Sequence, residues 1–293
     1  MDFKNAKELL DFCQKLNCPI SDIMKQRECT LAETSLEDIY AKMDHALSIM
    51  RESASSPIQE PKKSIGGLIG GEARLADLHR ARGAAICGSV LSRAITYSMA
   101  VLETNTSMGL IVAAPTAGSS GIVPGLLLAF QEEYSIPDSR VIDALFNAGA
   151  IGYLAMRNAT VAGAVGGCQA EVGVASAMAA SAAVELMGGT AKQCLNAASS
   201  VLMNLLGLVC DPLGGLVECP CQGRNAAGAA VALTAAELAM SGIRQLIPFD
   251  EMLAAMYRVG RQLSPDLRET ALGGCAATPT GKALGCRACP CSP

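Results

Sequence analysis

An all-α fold follows from three features of the sequence. Hydrophobic residues fill 51% of the 293 positions, yet aromatics contribute only 3% and tryptophan is missing. The apolar mass is Ala, Val, Leu and Met beside 29 glycines. That mixture suits helices packed closely through small side chains, whereas a sheet would draw on aromatic and β-branched residues. No stretch sustains the alternation of a half-buried strand, and apolar positions recur instead at helical spacing.

Taken in order, residues 4–18 place Leu9, Leu10, Cys13 and Leu16 along a short amphipathic helix. Ser35 followed by Asp38 resembles a capping box with aspartate in the acid's position. The stripe Leu36, Ile39, Tyr40, Met43, Leu47 and Met50 then marks a second helix, its methionines serving packing, with His45 beside it. Residues 53–64, SASSPIQEPKKS, hold two prolines and four serines without periodicity and read as a linker. The expected organisation is a helical N-terminal appendage over 1–52, the linker over 53–64, a helical main domain over 65–284 and a Cys-rich tail over 285–293.

The main domain opens with GGLIGGEARLADLHRARG, paired glycines that give way to helical propensity continuing over 84–102. The glycines depart from the G-x-G-x-x-G order and no strand precedes them, which speaks against a dinucleotide site. Residues 105–125, NTSMGLIVAAPTAGSSGIVPG, interleave small hydroxyl residues with glycine. Such a run exposes short donors and backbone N–H groups that suit a carboxylate ligand, and a solvated interhelical loop shares that composition. Helices are expected over 124–134 and 137–158, each opening near a proline. A glycine-rich connection over 160–169 bears Cys168, and helical patterns resume over 171–187, 191–208, 226–241 and 249–263.

The net charge of -4 and pI near 5.3 argue against nucleic acid, which needs a basic phosphate-binding face, so no nucleic-acid partner is expected. The longest apolar region, 161–187, carries Gln169 and Glu171 and is mostly Ala and Gly, which falls short of a membrane span. The N-terminus MDFKNAKELL has no apolar signal core, and thirteen cysteines form an odd count in a long chain. The expected compartment is cytoplasmic, with thiols reduced or metal-bound.

Cys13, Cys18, Cys29, Cys87 and Cys194 lie in or beside helical patterns and read as small core hydrophobes. Cys168, Cys210 and Cys221 each sit on a Gly- or Pro-bearing loop, where thiolates can converge because no helical rise holds them apart. Together with the tail cysteines they read as a soft-metal site, iron–sulfur first. Taken alone, the tail run Cys286-x-x-Cys289-x-Cys291 suits zinc, iron–sulfur, copper(I) or nothing. TPTGKA at 278–283 resembles part of a P-loop, but Ala276 takes the first glycine's place and Ala283 the hydroxyl's, which argues against phosphate binding.

Four motifs, GGCQAEVG at 166–173, CDPLGGLVECPCQGRN at 210–225, NTSMGLIVAAPTAGSSGIVPG at 105–125 and LRETALGGCAATPTGK at 267–282, together resemble the α chain of the iron–sulfur L-serine dehydratases. The resemblance covers about residues 66–282. It implies deamination of L-serine to pyruvate and ammonia with a 4Fe–4S cluster in place of pyridoxal phosphate. By motif it assigns the cluster to Cys168, Cys210 and Cys221, with a C-terminal cysteine (Cys286, Cys289 or Cys291) able to close a fourth position. It also implies a separate β chain, so the main domain is the catalytic part of a heteromer. Cys219 and Cys275 stand where the family carries apolar residues and read as packing or spare thiols. Glu72 and Arg74 stand near the places of a family acid and lysine.

An iron with an open position can act as a Lewis acid on the serine hydroxyl while a base removes the α-proton. Neither His45 nor His79 lies in an active-site loop, so the base is unassigned, a non-histidine group or one from a partner chain. Ser107, Thr116, Ser119 and Ser120, with the amides of Gly118 and Gly121, are the candidates for holding the substrate carboxylate and amine. Arg224 and Asn225 can reach the carboxylate or hydrogen-bond the cluster sulfurs. Rival readings are an L-cysteine desulfidase differing only in leaving group, a pyridoxal-phosphate lyase with only Lys62 or Lys63 to offer, and a non-catalytic iron–sulfur or zinc subunit.

Overall fold

A computed structural model describes residues 2–288. The described residues form fourteen α-helices joined by turns and three short 3-10 segments, with one isolated parallel bridge, Cys210 with Arg268, as their extended pairing. The N-terminal helices are α1 (Ala6–Leu16), α2 (Ile20–Ala32) and α3 (Leu36–Gln59). Asn5 caps α1 by accepting the Glu8 N–H, and the Ser35–Asp38 capping box opens α3, each worth about 1 kcal/mol.

The first part of the segment read as a linker, 53–59, is a continuation of α3, and the chain leaves the helix at Glu60. Pro57 lies inside the helix and supplies no N–H to the carbonyl of Ser53, four residues back. The Thr104 hydroxyl donates to that carbonyl at 2.8 Å in place of the missing amide. Ser53, Ala54 and Pro57 are buried, so tertiary packing against the helix carrying Thr104 carries α3 past a residue that would end an isolated helix. Phe3, Leu9, Ile20, Ile23 and Leu47 bury into the same hydrophobic core as the rest of the chain.

Helices α4 (Glu72–Ala81), α5 (Gly88–Thr106), α6 (Ile122–Tyr134) and α7 (Asp138–Asn158) follow, with a one-turn α8 (Gly163–Gly166). At the crossing of α5 and α6 a Cβ on Gly125 would stand 2.1 Å from the Ser98 hydroxyl and 2.9 Å from the Ala94 carbonyl. Only glycine permits that approach.

The centre of the molecule is α9 (Cys168–Leu186), in which every residue except Glu171 is buried. It packs against α6, α7, α10 (Ala191–Asn204), α11 (Cys221–Met240) and α12 (Phe249–Gln262). Its alanines let five neighbours close around one axis, which is the use of an Ala-rich, aromatic-poor composition. Gly167, in a left-handed conformation (φ 76°), turns the chain sharply into α9, and a Cβ there would strike the Leu208 carbonyl. Two last helices, α13 (Gly274–Ala277) and α14 (Pro279–Ala288), close the described chain, and α14 lies against the 213–215 turn. No described helix is long and apolar enough to cross a membrane.

Candidate metal centre

Three elements meet at the N-terminal end of α9. Cys168 is its first residue and Glu171 stands one turn on, so the 3.6-residue period sets both on one side. Cys210 ends the strand-like stretch after α10, held by donating its N–H to the Leu267 carbonyl and accepting the Glu269 N–H. The Cys168 thiol, the Cys210 thiol and a Glu171 oxygen lie within 4.8 Å of one another. The sequence reading assigned no role to Glu171.

Glycines keep the space around this group open. A Cβ on Gly163 would stand 2.6 Å from Glu171 Oε2 and 3.1 Å from Cys210 Sγ, and one on Gly118 would stand 3.3 Å from Glu171 Oε1. Cys221 begins α11 beside this group, though its thiol falls outside the 4.8 Å set. The charges of Cys168 and Glu171 act on it, and burial foremost pushes its proton affinity up to about 12.

The electrostatics set Cys168 apart from the thiols beside it. The Cys210 thiol hydrogen-bonds to Cys168, and this, with the Arg224 cation, holds Cys168 below the ordinary thiol range against its burial. The same hydrogen bond, with burial, raises Cys210. Arg224 lies 3.5 Å from Cys168 Sγ and 2.7 Å from Asp211 Oδ1, and donates to the Val209 carbonyl at 2.9 Å. Asp211 also accepts the Cys275 amide at 2.6 Å; these donors hold its carboxyl below the usual range although burial opposes them. Burial raises Glu171, which accepts the Thr116 hydroxyl at 2.7 Å.

The hydroxyl-rich loop divides into a part at the centre and a part away from it. Thr116 reaches Glu171 and shares a 3.0 Å contact with the fully buried Ser119 hydroxyl. Asn225 ties the loop to α11, donating to the Gly118 carbonyl at 2.8 Å and accepting the Gly121 N–H at 3.0 Å. Its role in the structure is thus to hold the loop. Ser120 is buried on the Ala117 carbonyl, and Ser107 closes the end of α5 on the Thr104 carbonyl.

Of the thiols read as core, Cys13 and Cys194 are buried, Cys18 and Cys29 are half-buried, and Cys87 is exposed in the connection before α5. Cys275 is exposed and Cys219 half-buried. Cys286 is exposed on α14; Cys289 and Cys291 lie outside the described residues. His45 and His79 are both exposed, on α3 and α4.

Residues 15–276 match the family described as serine dehydratase alpha chain. The chain belongs to that family. It is 46% identical over 282 residues to the "Probable L-serine dehydratase, alpha chain" of Bacillus subtilis, covering 96% of this chain and 94% of the relative. It is 42% identical over 279 residues to the "L-serine dehydratase, alpha chain" of Peptoniphilus asaccharolyticus, covering 95% and 96%. A longer relative, the "L-serine dehydratase" of Helicobacter pylori strain 26695, is 36% identical over 94% of this chain, a match that spans 62% of its own length.

Proposed function

We propose that this chain is the metal-bearing α chain of a cytoplasmic L-serine dehydratase that works with a separate β chain and a 4Fe–4S cluster. The observation that carries the reading is the meeting of Cys168, Glu171 and Cys210 within 4.8 Å, in a chain whose similar relatives bear the name L-serine dehydratase. The site suits such a cluster in two respects. Its thiols are soft ligands, and Gly163 leaves open the volume that a side chain would fill beside them.

Cys168, Cys210 and Cys221 would hold the cluster. The contact of α14 with the 213–215 turn supports a tail cysteine (Cys286, Cys289 or Cys291) as the ligand of a fourth position. The iron at that fourth position would supply a Lewis acid for the substrate hydroxyl when the tail cysteine does not hold it. Arg224, 3.5 Å from the Cys168 sulfur, favours the deprotonated state that ligation would require. The Thr116 hydroxyl and Gly118 stand beside Glu171, where the substrate's polar end would lie, with Ser119 orienting Thr116.

Overall, L-serine loses its α-proton and its hydroxyl as water. The resulting aminoacrylate tautomerises to an imine, and water hydrolyses it to pyruvate and ammonia. Glu171, whose carboxyl burial keeps prone to protonation, is the group placed to deliver a proton to the departing hydroxyl oxygen.

Anaerobic co-purification with the β chain, followed by pyruvate and sulfide assays, tests the reading. Pyruvate from L-serine with intact iron and sulfide content is the expected result. Faster sulfide release from L-cysteine would make the enzyme a desulfidase, and an intact cluster without turnover on either substrate would make the chain a non-catalytic subunit.

A further inference from the structure

An exposed apolar face with a basic surround lies beside the metal centre. Ile65, Leu75, Met108 and Leu110 are 63%, 67%, 77% and 70% exposed, and Ile86 is 99% exposed. The backbone brings most of them to one end of α5. Ile65 donates its N–H to the Thr106 carbonyl at 2.9 Å, just before Met108 and Leu110. Glu103 accepts the amides of Gly71 and Ala73, which fixes the start of α4 at that same end. Ala73 buries toward α5, while Leu75 and Leu78, one turn apart, are exposed along α4. Ile86 lies apart from this set, in the connection that leads into the other end of α5.

Isolated exposed Leu or Ile residues need no explanation, but a contiguous set of this kind marks an interaction surface. Its charge narrows the occupant. Residues 61–89 hold Lys62, Lys63, Arg74, Arg80 and Arg82 against Glu72 and Asp77, in a chain of net charge -4. Asp77 pairs with Arg80, Glu72 accepts the Gly70 amide and Glu60 is exposed at one edge, so the exposed cations Lys62, Lys63, Arg74 and Arg82 outnumber the acids around the apolar face.

The face is also tied to the metal loops. Glu218, three residues before Cys221, accepts the Ser64 hydroxyl and the amides of Gly66 and Leu68 at 2.6, 2.7 and 3.0 Å. Gln222 donates to Glu103 at 3.0 Å. The 64–71 loop therefore hangs from residues on both sides of Cys221, and Leu110 leads into the loop that carries Thr116.

We infer that this face, from Ile65 and α4 to Met108 and Leu110, is where the β chain docks, presenting an apolar patch with an acidic rim. The inference rests on the α-chain reading given above. A second copy of the chain is disfavoured as occupant, because a self-matching contact would set the four cations against their own images. In the Helicobacter pylori relative more than a third of the chain lies outside the matched part, so a further body of protein is tethered to a chain of this type.

The test is binding of the co-expressed β chain to wild type, Leu75→Glu, Met108→Glu and the double charge reversal Lys62→Glu/Lys63→Glu. Either apolar-to-acid substitution should weaken the complex by about 100-fold or more. It should leave the thermal midpoint and iron content of the isolated α chain unchanged, since both side chains project from the surface. The charge reversal should weaken binding about tenfold and flatten its dependence on salt. Wild-type affinity in all three variants would overturn the docking site alone. Failure of the wild-type chain to bind the β chain would sink the α-chain reading together with it. Sedimentation showing that the isolated chain dimerises, and that Leu75→Glu abolishes the dimer, would assign the face to a second copy instead.

Discussion

The two ends of α9 carry nearly the same residue types in different electrostatic settings. At the C-terminal end, buried Glu185 lies near the thiols of Cys194 and Cys13. At the N-terminal end, Glu171 lies beside Cys168 and Cys210. Burial raises the proton affinity of both carboxyls. Glu185 Oε2 is satisfied by three donors, the amides of Ile20 and Ser21 and the side chain of Asn147. It thereby caps α2, whose own cap residue, Pro19, offers no side-chain acceptor. Cys194 is fully buried and its thiol is pushed well above the ordinary range, which makes it an inert packing group. The N-terminal end has Arg224 against one sulfur and a glycine-lined opening beside the other. Burial alone makes a buried thiol inert; a cation and an opening give the same residue type the setting that metal ligation requires.

The largest expected effect is at Cys221, whose thiol lies outside the tight group. Cys221→Ser should cut bound iron and L-serine turnover by about 100-fold or more, because losing a ligand exceeds the 10–100-fold cost of losing a group that merely supports one. Cys13→Ser, the equivalent change at the opposite end, should retain iron. Full iron in Cys221→Ser would reduce the ligand set to Cys168, Cys210 and Glu171. Next comes Gly163→Ala, which places a methyl against Glu171 and Cys210. Iron content should fall about tenfold while the helical circular dichroism is unchanged; undiminished iron would show that the opening is not used.

A smaller effect is expected from Arg224→Gln. Removing the cation takes away part of what holds Cys168 below the usual thiol range. The alkylation of Cys168 in metal-stripped protein should therefore shift its midpoint upward in pH. An unchanged profile would leave the Cys210 hydrogen bond as the whole cause. Smallest is a pH effect at the other end. The folded-state proton affinity of Glu185 is raised, so its share of stability is full below its unfolded value and is lost as pH rises through the folded one. Glu185→Gln should flatten the fall in melting temperature that sets in as pH rises above the ordinary carboxylate range, at a cost of about 1–2 kcal/mol from the weakened cap on α2.

Much of this was legible in the sequence where local signals and packing agree. The helix expected over 137–158 is found as Asp138–Asn158, and the one over 249–263 as Phe249–Gln262. The Ser35 capping box is present with aspartate in place. Pro57 misled because its missing amide is replaced by the Thr104 hydroxyl from a helix some fifty residues on, which no local pattern records. Glu171 was passed over for a different reason. The helix was expected to begin at 171 rather than at Cys168, which hid the three-residue spacing that sets thiol and carboxylate together. Ser107 belonged by composition to the hydroxyl-rich run, yet its hydroxyl is engaged by the end of its own helix. Cys87 was grouped with the core thiols because it borders a helix, but it lies in the exposed connection that precedes α5.

Iron and acid-labile sulfide in anaerobically purified Cys168→Ser and Cys194→Ser proteins test the asymmetry of α9 most directly. Both variants change one sulfur to oxygen on helices of the same core. Loss of both elements in Cys168→Ser, with wild-type content in Cys194→Ser, is the expected result. Equal iron and sulfide in the two would contradict a metal centre at the N-terminal end of this helix.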